Sequence, residues 1–349
     1  MCTHLTPPLH PHIEYHISTL PWLSTPPSLI LFAKLYTRLC SESKMETFKI
    51  NEPYLDLRCG LSEGPFWERS DNILRFVDIV NKKVYRVNLE QGPSSLKEIS
   101  YDDSVSVTAE LEGAKDSFLF GGKYGIGFDK KSGGEPKILQ RYWSEEEEKD
   151  GKPKKMRAND GAVDSKGRFW VSAICDPAET TFKPEGALFR LDPDGQFHRI
   201  LNGVTIGNGI SWSEDEKIMY FTDTGDRSIF AYDFDKETGN ISNKRVFFLA
   251  EEGTGPDGHT RDEAGNFWIA LWGSWKVIRV SPEGKITGEV HVPTRCPTAV
   301  AFAGEDIYIT SESEHEPEKY PESVKYSGSI FRCHVGTRGK PTVAAKLKV

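Results

Sequence analysis

The chain has 349 residues, of which 37% are hydrophobic and 28% are charged, and its formal net charge at pH 7 is −8. This composition is typical of a soluble globular protein. The sequence contains no basic stripe, which argues against a nucleic-acid partner.

The first 44 residues differ in composition from the rest of the chain. They contain six prolines and a single acidic residue, Glu14, before Ser41. Their one apolar run, residues 29–32, is far shorter than the roughly 20 residues of a membrane span. A secretory signal is not indicated either, because the first cation, Lys34, follows that run. We therefore expect residues 1–44 to be a disordered or dispensable extension, residues 45–349 to be the folded domain, and no association with a membrane.

The cysteines predict neither a zinc site nor a disulfide framework. They lie at positions 2, 40, 59, 175, 296 and 333, without a CxxC motif or regular spacing. Reduced thiols and a cytoplasmic location are the resulting expectation.

From residue 73 onwards the chain repeats pairs of short β-rich runs. The first runs start at 73, 117, 168, 218, 266 and 306, so the period is 40 to 51 residues. Each run has about seven residues, is rich in β-branched and aromatic side chains, and is bounded by turn residues, which indicates strands. Such a period is typical of propeller blades. The sequence thus predicts an all-β, six-bladed β-propeller. A β-sandwich or two β domains are less favoured, because no linker interrupts the repeats.

Four repeats carry a polar residue followed by glycine at the same phase. The motifs are Glu63-Gly64, Asn159-Asp160-Gly161, Asn208-Gly209 and Asp257-Gly258. Equivalent turns of different blades occupy equivalent places around the axis, so these polar side chains should converge at one mouth of the central channel. Either Asn159 or Asp160 would contribute from the second motif. Asn-Gly and Asp-Gly are also common hairpin turns, but four occurrences at one phase favour a site.

Carboxylate and amide oxygens, without sulfur or imidazole, suit one hard divalent cation. Ca²⁺, Mg²⁺ and Mn²⁺ fit this set, and Zn²⁺ is an alternative although it prefers Cys and His. Arg157 lies two residues before Asn159 and is the one strongly basic residue near the ring. It is either a surface ion-pair partner or a group whose planar guanidinium holds a substrate hydroxyl or a developing carboxylate.

Four longer motifs resemble those of a known family. They are LSEGPFW (61–67), MRANDG (156–161), GNGISWSEDEKIMYFTDT (207–224) and GPDGHTRDEAGNFWIA (255–270). In order and spacing they are similar to the signatures of the senescence marker protein, gluconolactonase and luciferin-regenerating enzyme family, which includes regucalcin. The resemblance covers about residues 52–345. It implies a six-bladed propeller with one divalent metal in its central channel and sugar-lactone hydrolysis as the commonest activity.

The resemblance also implies roles for individual residues. Glu63, Asn208 and Asp257 would be the metal ligands, and Asp257 would also be the catalytic base. Arg157 and Asn159 would contact the substrate. Residues 174–185 match the place where family members carry a lid, but their sequence departs from the family pattern.

The favoured function is therefore that of a gluconolactonase-like hydrolase, which acts on a carboxylic ester bond. It would be a divalent-metal-dependent lactonase whose substrate is an aldonolactone. One alternative is a non-enzymatic calcium-binding regulator, although no EF-hand-like loop is present. The other is a hydrolase of different esters on the same metal site. A serine hydrolase is not expected because GxSxG is absent. We expect a monomer whose partner is a small-molecule sugar lactone.

Overall fold

A computed structural model describes residues 2–5 and 45–347. Six units of antiparallel strands are arranged as the blades of a β-propeller, which confirms the predicted fold. In five of them four strands follow one another in chain order, and the sixth has three strands.

The strands have the following bounds. Two N-terminal strands are β1 (Cys2–Leu5) and β2 (Glu46–Ile50). Blade 1 comprises β3 (Ser62–Glu68), β4 (Ile73–Asp78), β5 (Lys83–Asn88) and β6 (Lys97–Ser100). Blade 2 comprises β7 (Val105–Glu110), β8 (Ser117–Gly122), β9 (Gly125–Lys130) and β10 (Lys137–Arg141). Blade 3 comprises β11 (Met156–Val163), β12 (Phe169–Cys175), β13 (Gly186–Leu191) and β14 (Phe197–Val204).

Blade 4 comprises β15 (Gly207–Trp212), β16 (Ile218–Asp223), β17 (Ser228–Phe234) and β18 (Ile241–Leu249). Blade 5 comprises β19 (Gly255–Arg261), β20 (Phe267–Trp272), β21 (Lys276–Val280) and β22 (Ile286–His291). Blade 6 comprises β23 (Pro297–Ala303), β24 (Asp306–Ser311) and β25 (Phe331–His334). Short helices lie at Glu145–Lys149 and Pro321–Val324, and 3-10 turns at Pro93–Ser95, Lys152–Lys155 and Thr224–Asp226.

The repeated apolar runs form the second and third strands of each blade. These strands are apolar because they are buried between neighbouring blades; every residue of β12, for example, is buried. The Trp170 ring on β12 packs edge-on against Trp212 and Phe234 of blade 4, at centroid distances of 6.1 and 6.2 Å. The outermost strands are largely exposed, as in β18. The hydrophobic core is therefore divided among the contacts between blades.

Each innermost strand contains a β-bulge at the same place. One extra residue interrupts its pairing with the second strand in all six blades. The polar-glycine motifs lie at these bulges, so the prediction that they form turns between strands is wrong. A polar residue followed by glycine suits both structures, because glycine permits the unusual backbone of a turn or of a bulge.

The glycines of these motifs also allow the innermost strands to approach one another. A Cβ atom on Gly209 would lie 2.3 Å from Nδ1 of His259, and one on Gly258 would lie 2.6 Å from Cβ of Ala299. Both distances are too short for any side chain. The requirement for glycine therefore comes from crowding around the axis.

The N-terminal strands depart from expectation. β2 pairs in parallel with β22, and β1 pairs with β2. A disulfide joins Cys2 to Cys333 of blade 6. Disorder is therefore wrong for residues 2–5, and reduced thiols are wrong for this pair, whose separation of 331 residues leaves no local spacing signal. Residues 6–44, including the apolar run at 29–32, lie outside the described residues, and their dispensability stays a prediction.

Two irregular segments complete the ring. The backbone N–H groups of Tyr54 and Leu55 donate to the carbonyl oxygen of Ile330, so the start of the domain pairs with blade 6. At the other terminus, Gly339 bridges to Asp262 beyond β19, and Ala345 bridges to Leu111 beyond β7. Blades 5 and 2 are three blades apart in a ring of six, so residues 339–345 cross the axis. No helix in the described part of the chain is long and apolar enough to span a membrane.

Candidate functional site

A cavity of about 1130 Å³ lies at the end of the channel where the innermost strands begin. All five residues predicted for the site line it, and they come from four blades: Glu63, Arg157, Asn159, Asn208 and Asp257. The structure thus brings the predicted residues together. Asp160, the alternative to Asn159, instead lines a second cavity of about 250 Å³ on the other side of the bulges.

The five predicted residues form the inner surface of the cavity, which we call the floor. Hydrogen bonds connect several of its polar side chains. Arg157 Nη1 donates to Asn159 Oδ1 at 2.7 Å, and Asn159 Nδ2 donates to Asn208 Oδ1 at 2.8 Å. Asn208 Nδ2 donates to Thr224 Oγ1 at 2.8 Å, and that hydroxyl donates to the carbonyl oxygen of Pro256 at 2.7 Å. The network runs from blade 3 through blade 4 to blade 5. It fixes the orientation of both amides.

The buried acidic groups of this floor, Glu63 and Asp257, outnumber its buried basic group, Arg157. Burial raises the pKa of Glu63 to about 8, and the Asp160 carboxylate adds to this effect. Burial also raises the pKa of Asp257 well above its ordinary value, with further contributions from Glu63 and Glu312. Arg157 opposes the rise at Glu63. Burial lowers the pKa of Arg157 itself, but a guanidinium stays protonated in proteins.

These residues fit a hard divalent cation. Two carboxylates and one amide supply oxygen donors, and the buried negative charge is the kind that a cation offsets. Asn208 Oδ1 accepts one hydrogen bond from Asn159 and keeps a second lone pair. No group of three or more His, Cys, Asp or Glu residues forms a metal cluster within residues 2–5 and 45–347. The predicted ligand set contains only two such residues, and Ca²⁺ would draw its other oxygens from solvent or substrate.

The walls of the cavity contain residues that the sequence reasoning missed. The second strand of every blade ends at this face, and the residues at or just beyond those ends line the cavity: Ile79, Lys123, Asp176, Thr224, Trp272 and Glu312. Their signal in the sequence was their place at the end of the first run of each repeat or just beyond it. The predicted lid segment, residues 174–185, also contributes to the wall, with Asp176 and Phe182 among its lining residues.

Comparison with known proteins identifies the family of the chain. The family model described as the SMP-30/Gluconolactonase/LRE-like region matches residues 61–313. The chain belongs to this family. The matched region begins just before β3 and ends just after Glu312, so it contains all five residues predicted for the site.

Individual members of the SMP-30/Gluconolactonase/LRE-like family resemble the chain over nearly their whole length. Pentonolactonase XacC of Haloferax volcanii is 30% identical over 303 residues, covering 84% of this chain and 98% of the relative. Regucalcin of Bos taurus is 31% identical over 306 residues, covering 85% and 98%. The solved structure of a luciferin-regenerating enzyme superposes with a TM-score of 0.74 at 28% identity, covering 83% of this chain and 96% of that one.

Proposed function

We propose that this protein is a divalent-metal-dependent lactonase that hydrolyses a sugar lactone, an aldonolactone, to the hydroxy acid. The observation that carries the proposal is the convergence of Glu63, Asn208, Asp257, Arg157 and Asn159 on one cavity. Relatives named pentonolactonase and sugar lactone lactonase support it. The reaction class is hydrolysis of a carboxylic ester bond.

The cation would be held by Glu63, Asn208 and Asp257, with Ca²⁺ the first candidate and Zn²⁺, Mn²⁺ or Mg²⁺ the alternatives. When bound, a divalent cation polarises a carbonyl group and offsets negative charge that develops on its oxygen. Arg157 and Asn159 would position the lactone by donating hydrogen bonds to its oxygens.

Asp257 would be the general base. It accepts a proton from water as the water oxygen attacks the lactone carbonyl carbon. The ring C–O bond then breaks, and the departing alkoxide oxygen takes up a proton, which gives a hydroxy acid. Burial and the neighbouring carboxyl groups raise the pKa of Asp257. A cation held at Glu63 and Asn208 would oppose this rise and favour the ionised carboxylate that both roles need.

The test is acid release by the purified protein, measured by pH-stat with a panel of aldonolactones and with aryl and alkyl esters. Ca²⁺, Mn²⁺, Mg²⁺ and Zn²⁺ are each added after exhaustive chelation. Hydrolysis of at least one aldonolactone that requires an added cation is the expected result. Hydrolysis of aryl or alkyl esters alone would reassign the substrate class.

A second candidate function follows from the relatives named regucalcin, one of which is described as a calcium-binding protein. Calorimetric Ca²⁺ binding to a protein that hydrolyses none of these compounds would favour that role over catalysis.

A further inference from the structure

One carboxylate in the cavity wall, Glu312, organises two neighbouring side chains. Trp272 Nε1 donates a hydrogen bond to Glu312 Oε2 at 2.8 Å, and His315 Nε2 lies 2.7 Å from Glu312 Oε1. All three residues line the same cavity as Asp257. The two carboxylate oxygens of Glu312 therefore orient the side chains of Trp272 and His315.

The indole of Trp272 is also held from behind. The Arg295 guanidinium carbon lies 5.2 Å from the centre of its ring. Arg295 is fixed in turn by Glu314, at 2.6 Å between Nη2 and Oε1. Cation–π contact and the hydrogen bond to Glu312 together keep the ring in one orientation.

The three residues stand close to the proposed catalytic floor. Trp272 ends β20, which pairs with β19, the strand that carries Asp257. Glu312 lies near enough to contribute to the raised pKa of Asp257. The side chain of His315 is 56% exposed, so its imidazole is available to a ligand in the cavity.

We propose that Trp272 and His315, oriented by Glu312, form the subsite for the hydroxylated ring of the substrate. The inference rests on the proposed lactonase function for the identity of the ligand, and it names residues that set specificity. Trp272 contacts the C–H face of the ring, His315 exchanges a hydrogen bond with one ring hydroxyl, and Glu312 is a positioning residue.

The chemistry of this wall matches a sugar rather than a plain lactone. The face of an indole carries negative partial charge and attracts the electron-poor C–H groups of a polyhydroxylated ring. An oriented imidazole favours a ligand that supplies a hydroxyl partner over one that lacks it. A ring without hydroxyl groups gains little from either residue.

The experiment compares Trp272→Ala, His315→Gln and Glu312→Gln with the wild type on an aldonolactone and on analogues that lack one hydroxyl each. Trp272→Ala is expected to raise KM at least about tenfold with kcat changed less than about threefold. His315→Gln should raise KM for the parent lactone and leave it unchanged for one deoxy analogue. Glu312→Gln should show both effects in weaker form.

Two matched controls separate this role from a structural one. His291 forms the same kind of pair with Glu289, at 2.7 Å, and Trp67 donates its indole N–H to Asn72 at 3.1 Å, but neither lines this cavity. His291→Gln and Trp67→Ala should leave KM unchanged. Unchanged KM in Trp272→Ala and His315→Gln for every lactone that the wild type hydrolyses would overturn the proposal.

Failure of the proposed function has a separate signature. If the wild type hydrolyses no lactone, calorimetric titration with the same aldonolactone and its deoxy analogues replaces turnover. Binding to the wild type that is at least about tenfold weaker in Trp272→Ala supports the subsite even then. Absent or unchanged binding refutes it.

Discussion

The side-chain amide of Asn159 donates a hydrogen bond of 2.8 Å to the side-chain oxygen of Asn208 in the neighbouring blade. The first residue is the predicted substrate contact, and the second is a predicted metal ligand. Because Arg157 donates to Asn159 in turn, the groups proposed to hold substrate and cation belong to one network. A change at either end should therefore be felt at the other.

Removal of a predicted ligand should weaken cation binding without unfolding the propeller. Glu63→Gln removes a charge and Asn208→Ala removes an oxygen donor, so each should weaken cation binding at least about tenfold in calorimetry. Chelation should abolish lactone hydrolysis and leave the circular dichroism spectrum unchanged, because the core lies between the blades. Asn266→Ala is the control, since Asn266 bonds Asp262 away from the cavity. Full activity after exhaustive chelation would contradict the metal mechanism.

Asp257→Asn should separate ligation from proton transfer. The amide keeps the shape and one oxygen donor but accepts no proton, so kcat should fall at least about 10²-fold while measurable cation binding remains. Turnover and calorimetry are compared on one preparation at saturating cation. Asp160→Asn is the comparison, because Asp160 is half-buried next to Asn159 but lines the other cavity. A loss of turnover confined to Asp160→Asn would make that residue the base.

The Cys2–Cys333 disulfide changes what is expected of the N-terminal extension. The cross-link spans 331 residues, so it should stabilise the folded chain by restricting the unfolded one, by about 2–4 kcal/mol. A chain beginning at Met45, and the Cys2→Ser variant, should therefore melt several degrees below the full-length protein. The difference for Cys2→Ser should vanish in reducing buffer. Identical melting temperatures in oxidising buffer would show that the extension is dispensable for stability.

A buried ion cluster should make stability depend on acid pH. Glu68 is 2% exposed and lies 2.5 Å from Arg75, 2.7 Å from Arg86 and 2.9 Å from Lys131 of blade 2. Burial alone would raise its pKa, but Arg75, Arg86 and Lys131 outweigh burial and lower it to about 2. Burial lowers the pKa of Arg75, but a guanidinium stays charged below neutrality, so we base the pH dependence on Glu68.

The pKa of Glu68 is lower in the folded chain than its ordinary value of 4.5, so the ionised carboxylate stabilises the fold fully above pH 4.5. This stabilisation is lost as the pH falls toward 2. About 3 kcal/mol of the unfolding free energy should disappear over that range. Glu68→Gln should be less stable at neutral pH and should lose this part of the acid dependence. Glu98→Gln, at a half-exposed pair with Lys83, is the control. Urea unfolding between pH 7 and pH 2 measures the free energy of unfolding of the two variants and of the wild type.

The architecture was predictable because burial between blades makes the second and third strands apolar, and these strands recur every 40 to 51 residues. The convergence of Glu63 and Asp257 was predictable for the same reason, since equal phase in the repeat means equal position around the axis. The bulges were not predictable, because Asn208-Gly209 suits a turn equally well. Glu312 was missed because its partner Trp272 lies 40 residues away in blade 5, and the two meet only through the packing of blades 5 and 6. The pairing of Cys2 with Cys333 likewise depends on a long-range contact.

The segment that crosses from blade 5 to blade 2 also bears on how substrate reaches the floor and how product leaves it. Its residues 340–343 line the smaller cavity, at the end of the axis away from Asp257. We therefore expect compounds that react at the floor to arrive and depart through the larger cavity. A hydroxy acid that lingers there occupies the place of the next lactone, so accumulated product should act as a competitive inhibitor. Turnover late in the reaction would then depend on how quickly the hydroxy acid leaves the larger cavity.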